Sequence, residues 1–179
     1  MIELIRGRRS IRSFTPQPVE AEKTALLIEA ALRSPSSRNI NPWQFIVVDD
    51  RELLGLLASA KQHGSAFLKG APLGIVVCAD TTCSDVWVED CSIAAIMVQM
   101  TAHSLGLGSC WIQIRLRQHS EEMTSESWVR EQLGLPGHMA VAAIIAVGYP
   151  DRRREPLPES ALQQDKVHRN RYGAPYRPI

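Results

Sequence analysis

Three arginines and a serine near the start of the chain are the first residues whose types and spacing could do chemistry. The stretch GRRSIRSF, residues 7–14, places Arg8, Arg9 and Arg12 around Ser10. A guanidinium group holds phosphate through a planar two-pronged fork, and a hydroxyl can donate to a phosphate oxygen. A solvent-exposed basic helix end has the same composition. The stretch alone therefore leaves a phosphate site and a basic surface both open.

The distribution of charge along the chain bears on that choice. Net charge is +1 overall, but it is +3 over residues 1–38, −5 over residues 39–149 and +3 over residues 150–179. An anionic ligand held by both ends of the chain would explain this layout, and a random spread of surface charge would also produce it. A net charge so close to zero argues against nucleic acid or a membrane surface as the partner.

Length and cysteine usage narrow the class of protein. The 179 residues favour one domain, or one domain with an arm. Cys78, Cys83, Cys91 and Cys110 form no CxxC pair and have no histidine at a metal-ligand spacing, so we expect free thiols and no metal site. The sequence shows neither a signal peptide nor a long apolar run. We therefore expect a cytoplasmic protein without a membrane segment.

Hydrophobic periodicity predicts alternating helices and strands up to residue 150. Helices are predicted over 19–34, 52–60, 85–106 and 124–134, and strands over 43–50, 73–80, 108–114 and 139–149. The last strand is a continuous apolar run, which indicates a central position covered on both faces. In the first helix, the predicted apolar face comprises Ala21, Ala25, Ile28 and Leu32.

Two features favour a dimer. The helix predicted over 85–106 is apolar nearly all round in its second half, which indicates burial in a core or at a subunit interface. Residues 150–179 combine prolines with basic residues and show no amphipathic period, so we expect an extended arm. Such an arm has no core of its own and is either disordered or held by a partner.

Four stretches, taken together, resemble the FMN-dependent nitroreductase family over almost the whole chain. They are RRSIRSF (8–14), SPSSRNINPWQFIVV (34–48), GLGSCWI (106–112) and a C-terminal group made of VGYP, RRREP (152–156) and VHRNRYG (167–173). They occur in the family's order and at family-like distances. One position departs from the pattern: Asn41 stands where the family usually has glutamine, which keeps the amide but shortens the side chain by one methylene.

The resemblance implies an α+β fold with a mixed or antiparallel central sheet flanked by helices. It implies an FMN-binding domain over residues 1–150 and a C-terminal arm over residues 151–179 that embraces the partner subunit of a homodimer. FMN would lie at the dimer interface, and each site would draw on both chains.

The resemblance also implies cofactor contacts at both ends of the chain. Arg8 and Ser10 would hold the FMN phosphate, together with Arg152 and Arg154 from the arm. Arg9 would lie along the ribityl chain. Two prongs from each guanidinium group suit the oxygens of a phosphate.

Around the flavin ring, the resemblance implies contacts from the RRSIRSF and GLGSCWI stretches. Arg12 would approach the pyrimidine edge near N1 and O2, where a cation favours the reduced cofactor. Cys110, Trp111 and Ile112 would line the ring, and a backbone N–H near Gln113 would donate to N5. No side chain is assigned a catalytic role, because the flavin performs the chemistry.

A further set of implied contacts lies in the loop before the first strand. Pro35, Ser36, Ser37 and Asn39 would reach the flavin of the other subunit. A helix-ending loop rich in turn residues has the same composition.

The implied activity is transfer of a hydride from NADH or NADPH and reduction of a small-molecule acceptor such as a nitroaromatic or a quinone, by a ping-pong mechanism. Two alternatives stay open. One is a flavin enzyme of the same fold but other chemistry, such as a dehalogenase, although the short interval over residues 80–108 leaves little room for a lid. The other is a flavin-binding sensor or storage protein without turnover.

Overall fold

A four-stranded antiparallel sheet lies at the centre of the fold. The structure, a computed structural model, describes residues 1–176. The strands are β1 (Trp43–Val48), β2 (Leu73–Asp80), β3 (Gly108–Gln113) and β4 (Met139–Gly148), in the spatial order β1-β2-β4-β3. Every neighbouring pair runs antiparallel. This confirms the predicted α+β class and selects the antiparallel form of the sheet.

Helices cover both faces of this sheet. They are α1 (Ile2–Gly7), α2 (Ala21–Leu32), α3 (Arg51–Ala58), α4 (Trp87–Ser104) and α5 (Ser125–Leu133). The core on one face takes residues from α2 and α4, and the core on the other takes residues from α3 and α5. Strand β4 contributes to both cores and is buried along its whole length, which explains its continuous apolar run and confirms its predicted central position.

The predicted apolar face of α2 was wrong. Ala21, Ala25 and Leu32 are exposed, whereas Leu27 and Ala31 are buried against α4. The helix is so rich in alanine and leucine that several of its faces look equally apolar in the sequence. Packing against α4 buries the face that carries the bulky Leu27.

Local end signals agree with the structure more closely. Thr124 caps α5, because its hydroxyl accepts a hydrogen bond from the Ser127 N–H at 3.1 Å. Gly134 ends the helix with a φ of 63°, a conformation that glycine adopts without steric cost. The Asp50 carboxylate caps α3 by accepting from the Leu53 N–H at 2.7 Å.

The segment after α1 is tied to the sheet by backbone hydrogen bonds. The Ile11 N–H donates to the Ser109 carbonyl at 2.9 Å, and the Thr15 N–H donates to the Tyr149 carbonyl at 2.9 Å. The first bond covers the outer edge of β3, and the second joins the segment to the end of β4. As a result, the N-terminal arginines lie beside the residues where the C-terminal segment leaves the sheet.

The C-terminal segment lies outside both cores. Residues 151–176 are almost entirely exposed and contain two short 3-10 helices, Glu159–Ala161 and Gln164–Lys166. The last three residues of the predicted arm fall outside the described residues. Within residues 1–176, no helix has both the length and the apolar character needed to cross a membrane.

Close packing at Gly148 gives a test of the fold. A Cβ atom there would lie 2.5 Å from Pro72 Cδ and 3.1 Å from Phe14 Cδ1. Gly148→Ala must therefore displace the Pro72 ring, which is bonded to the backbone and cannot rotate away. We expect the free energy of unfolding to fall by about 1–3 kcal/mol, as for other overpacked sites.

Gly55→Ala in α3 is the matched control. A Cβ atom there would meet nothing within 4 Å. Alanine is favoured over glycine inside a helix, so this variant should gain about 0.5–1 kcal/mol. Chemical denaturation of both variants measures the difference, and equal stabilities would contradict the packing described at the end of β4.

Candidate functional site

A cavity rich in arginine lies between α1, the segment after it and the start of the C-terminal segment. Its volume is about 1010 Å³, at the upper end of the roughly 300–1,000 Å³ found for small-molecule sites. Ser10 lines it, and its arginines are Arg6, Arg8, Arg9, Arg12 and Arg154. Ile2, Ile5, Leu157 and Leu162 give it an apolar wall. Both ends of the chain therefore meet at one cavity, which we call the arginine cavity.

A smaller cavity of about 280 Å³ adjoins it and shares Arg8, Arg9 and Arg154 with it. Its floor is made by the turn into β3, residues 106–109, and His103 and Arg153 also line it. A Cβ atom at Gly108 would lie 2.8 Å from the Ile11 side chain. The lack of a side chain at Gly108 thus allows the arginine-bearing segment to approach β3.

The charges on the arginine cavity are poorly neutralised. Glu159 is the one acidic residue that lines it, against five arginines. Within residues 1–176, the guanidinium groups of Arg8, Arg9, Arg12 and Arg154 form no ion pair with a carboxylate. Clustered cations of this kind favour an anionic ligand.

Arg152 is placed differently from the other predicted phosphate ligands. Its side chain is 89% exposed, and its Nε lies 3.8 Å from Oδ2 of the adjacent Asp151. It lines neither cavity, whereas its neighbour Arg153 lines the smaller one. In the single chain, the arm therefore offers Arg153 and Arg154 to the cavities.

The pleat of β3 separates the side chains that were expected to line one ligand. Ile112 is completely buried in the core formed with α3 and α5, while Trp111 packs on the opposite face of the sheet. The Trp111 indole donates to the Gln113 side-chain oxygen at 2.9 Å. Cys110, Trp111 and Ile112 therefore cannot all present side chains to a single flat ring.

The backbone of β3 offers a different kind of contact. Because Ser109 directs its carbonyl outward to Ile11, the alternation of an antiparallel ladder directs the backbone groups of Trp111 and Gln113 outward as well. The Gln113 N–H thus faces the open edge of the sheet. This is the donor that the resemblance implied for the flavin N5, and it stays a prediction.

Cys110 lies at the base of this region, beside the N-terminal segment. Burial raises the pKa of its thiol, while Arg12, Ser10 and Arg8 oppose that rise. The thiol is 1% exposed. Cys110 therefore behaves as a small buried side chain next to the arginines, as the sequence indicated.

The predicted contacts before β1 lie elsewhere. Pro35, Ser36, Ser37 and Asn39 line neither of these cavities. Instead, the Ser37 N–H donates to Asp90 Oδ1 at 2.8 Å, and Arg38 pairs with Asp85 at 3.2 Å. The loop is thus attached to the N-terminal end of α4.

The same loop holds three residues in the left-handed region. The φ angles of Arg38, Asn39 and Asn41 are 51°, 55° and 54°. Asn41 donates its N–H to Ser36 Oγ at 2.9 Å and accepts from that hydroxyl through Oδ1 at 2.7 Å. Asparagine tolerates this conformation better than most residues, so the departure from glutamine at this position has a local structural role.

Two further residues near the arginine cavity, Phe67 and Lys61, were not predicted. The Arg12 guanidinium carbon lies 5.9 Å from the centre of the Phe67 ring, close enough for a cation–π contact. Lys61 lies near Cys110; burial lowers the pKa of its ammonium group, and Arg117 adds to this effect. Lys61 and Phe67 fall in a segment without periodicity or motif, so no sequence pattern indicated them.

Metal binding finds no support in the described part of the chain. Within residues 1–176, no group of three histidine, cysteine, aspartate or glutamate side chains could hold a metal ion. The described site consists instead of cations, a hydroxyl group and outward-facing backbone amides. This set defines a class of site: a cationic cavity in an α+β domain, at the meeting point of its two chain ends, with groups suited to an anionic ligand.

Comparison with known proteins identifies the family. The chain matches the sequence model of the nitroreductase family over residues 5–66 and 55–149. It is 35% identical over 176 residues to a protein of Archaeoglobus fulgidus that carries a provisional NADH dehydrogenase/NAD(P)H nitroreductase description, covering 96% of this chain and 98% of the relative. This protein therefore belongs to the nitroreductase family.

Solved structures agree. An FMN-dependent nitroreductase from Clostridium difficile superimposes with a TM-score of 0.95 at 44% identity, covering 96% of this chain and 100% of that one. The NADPH:FMN oxidoreductase of Vibrio harveyi, solved with NAD⁺, superimposes with a TM-score of 0.78 at 29% identity, covering 96% of this chain and 77% of that one.

Thiol reactivity tests the placement of the cysteines. Burial raises the pKa of Cys78 to about 11 and that of Cys91 to about 12, so both stay protonated at pH 8. Cys83 is the exposed cysteine. At pH 8, a disulfide reagent should titrate one thiol per native chain quickly, and Cys83→Ser should remove that signal. Rapid reaction of two or more thiols in the native protein would contradict this arrangement.

Proposed function

We propose that this protein is an FMN-dependent oxidoreductase that takes a hydride from NADH or NADPH and reduces nitroaromatic, quinone or related acceptors. The observation that carries the proposal is the arginine cavity at the meeting point of the two chain ends, in a member of the nitroreductase family. The descriptions of the relatives reported above, which name FMN and NAD(P)H, support the choice of cofactor and donor.

The residues at the arginine cavity fit the phosphate end of FMN. A phosphate monoester carries about 1.5 to 2 negative charges at neutral pH. Arg8, Ser10 and Arg154 line one cavity and provide charged and neutral donors for its oxygens. Arg9 lines the same cavity and would lie along the ribityl chain. Arg153 is closer to this site than Arg152, so we extend the proposed phosphate ligands to it.

Two features fit the ring end of FMN. Arg12, beside the Phe67 ring, would offset negative charge at the pyrimidine edge. The outward N–H of Gln113 would donate to N5. The side chains of Cys110 and Ile112 are buried and their backbone groups face β4, so neither would contact the ring directly. FMN, when bound, supplies the two-electron chemistry. The chain's own residues bind and orient the cofactor.

The kinetic part of the proposal follows from the shape of such a site. If donor and acceptor occupy the same space over one face of the ring, the oxidised nicotinamide must leave before the acceptor binds. This arrangement favours a ping-pong mechanism. No acidic, basic or nucleophilic side chain is required at the reacting atoms.

A homodimer completes the proposal. One face of α4 is buried, whereas Ile93, Ile96 and Met97 on its other face are exposed in the single chain. Burial of such an apolar stripe favours association. The domain over residues 1–150 would bind FMN, and the arm over residues 151–179 would embrace the partner. The loop that carries Pro35, Ser36, Ser37 and Asn39 would then serve the partner's cofactor.

The other two functions have less support. A dehalogenase-like enzyme of this fold would need a lid, and the interval between β2 and β3 holds one helix, α4. A flavin-binding sensor would bind FMN without being reduced by a nicotinamide. Anaerobic assays with halogenated phenols and with both nicotinamides separate these functions from the proposed one.

The visible spectrum of the FMN-reconstituted protein tests the cofactor. We expect flavin absorption bands that bleach anaerobically with NADH or NADPH and return when a quinone is added. Arg8→Ala should weaken FMN binding by about 10- to 100-fold, since a hydrogen bond to a charged group contributes roughly 1.5–3 kcal/mol. Arg33→Ala, which removes an exposed arginine paired with Glu29 on α2, is the matched control. A protein that is colourless after FMN has been added and the unbound FMN removed would refute the proposal.

Sedimentation tests the dimer. Ile96→Glu places a charge in the exposed stripe of α4 and should shift the protein from dimer to monomer, because a charge in an apolar interface is unfavourable. Leu56→Glu on α3 is the control, since its exposure of 41% matches the 42% of Ile96 on an unrelated face. A wild-type protein that sediments as a monomer at micromolar concentration would contradict the dimer.

A further inference from the structure

The carboxylate of Asp90 is buried in α4 at the point where the loop before β1 meets that helix. Asp90 is 2% exposed, and its Oδ1 accepts from the Ser37 N–H at 2.8 Å. Its Oδ2 is also buried and has no hydrogen-bond partner within residues 1–176. The residue is therefore a buried carboxylate that a single backbone N–H partly satisfies.

Such a group is unfavourable for the stability of the fold. A carboxylate that leaves water loses its hydration, and one hydrogen bond does not replace it. An apolar residue would fill the same space at lower cost. The presence of aspartate therefore points to a role of its acceptor beyond packing.

The loop that Asp90 contacts needs to be held. The backbone is left-handed at Arg38, Asn39 and Asn41, none of which is glycine. Non-glycine residues persist in this region when the surrounding structure imposes it. Asn39 and Asn41 tolerate this conformation, but Arg38 does not favour it, so the loop depends on surrounding contacts to keep it.

Among the hydrogen bonds and ion pairs of this loop, the bond to Asp90 is best placed to maintain the loop conformation. The hydrogen bonds between Ser36 and Asn41 stay inside the loop and do not attach it to the domain. The ion pair between Arg38 and Asp85 does attach it, but its side chains are 69% and 81% exposed, so solvent weakens it. The bond to the Ser37 N–H is shielded from water at its acceptor end.

We propose that Asp90 is a positioning residue, which holds the Ser37 amide and thereby keeps residues 36–41 in the conformation that presents Ser36, Ser37 and Asn39 to the cofactor. The first half of this inference concerns the loop alone. The second half rests on the proposed function, because it assumes that the loop serves an FMN site.

Three variants test it. Asp90→Leu keeps the branching and the number of side-chain heavy atoms but has no acceptor and is larger, and Asp90→Asn keeps an acceptor at the same place without the charge. Asp85→Ala removes the exposed ion pair to the same loop and is the matched control. Should Asp90→Leu fail to fold, Asp90→Ala replaces it.

The first measurement is amide hydrogen exchange at Ser37, resolved by NMR before FMN is added. Exchange should be at least about 10-fold faster in Asp90→Leu than in the wild type, while Asp90→Asn and Asp85→Ala should stay within about threefold, because a lost hydrogen bond costs roughly 1–2 kcal/mol. This readout does not depend on cofactor binding. It therefore tests the loop-holding role even if the proposed function fails.

The second measurement is an FMN titration, followed by quinone reduction at saturating FMN. Asp90→Leu should bind FMN about 10-fold more weakly than the wild type, and Asp90→Asn should restore binding to within about threefold.

Two results would overturn the proposal. One is unchanged Ser37 exchange and unchanged FMN affinity in Asp90→Leu. The other is an Asp90→Asn variant as impaired as Asp90→Leu, since the charge rather than the acceptor would then matter. If the wild type itself binds no FMN, the proposed function fails, and Ser37 exchange decides the loop-holding part separately.

Discussion

The backbone pairing of residues 10–15 with the ends of β3 and β4 is the constraint on which the site depends. Through the bonds from Ile11 to Ser109 and from Thr15 to Tyr149, the N-terminal segment crosses the same end of the sheet from which the C-terminal segment departs. These bonds join main-chain atoms, so they place the segment without using its side chains. The arginines on that segment therefore stay free to face the cavity. Only small residues can stand where the segment crosses, which accounts for Gly108 and Gly148.

This placement concentrates like charge in one region of a nearly neutral chain. The arginines repel one another as long as no anion lies between them, and at the cavity Glu159 is a weak counterweight. A ligand that brings two negative charges to this cavity would reduce the repulsion and would contact residues from both chain ends. Binding of such a ligand should therefore also stabilise the position of the C-terminal arm. The same electrostatics explain why arginine is used here, since its planar fork fixes the orientation of a phosphate as well as its position.

Sequence reasoning succeeded where the signal was local and strong. The bounds of β2 and the central position of β4 follow from uninterrupted apolar runs, and the ends of α5 follow from Thr124 and Gly134. Sequence-based prediction failed where one hydrophobic pattern is compatible with several ways of packing the helix. The alanine-rich α2 offers more than one apolar face, and only packing against α4 selects the one with Leu27.

The candidate site was predictable in the same uneven way. Arg8, Ser10 and Arg154 carry a recognisable motif and meet at one cavity, whereas Lys61 and Phe67 reach the region through tertiary folding alone. Ile112 matches the motif by type, but the two-residue period of a strand turns its side chain into the core. A motif specifies residue types in order along the chain. The pleat and the crossing of segments decide which of those side chains meet a ligand.

The departure at Asn41 shows how a local conformation can account for a change in a motif. At a φ of 54°, the Asn41 side chain lies near its own loop and accepts from the Ser36 hydroxyl through Oδ1, while the Asn41 backbone N–H donates to the same hydroxyl. A glutamine would carry its amide one methylene farther and would favour the left-handed backbone less. With Asn41 the amide is engaged within the loop and is not available for a distant contact.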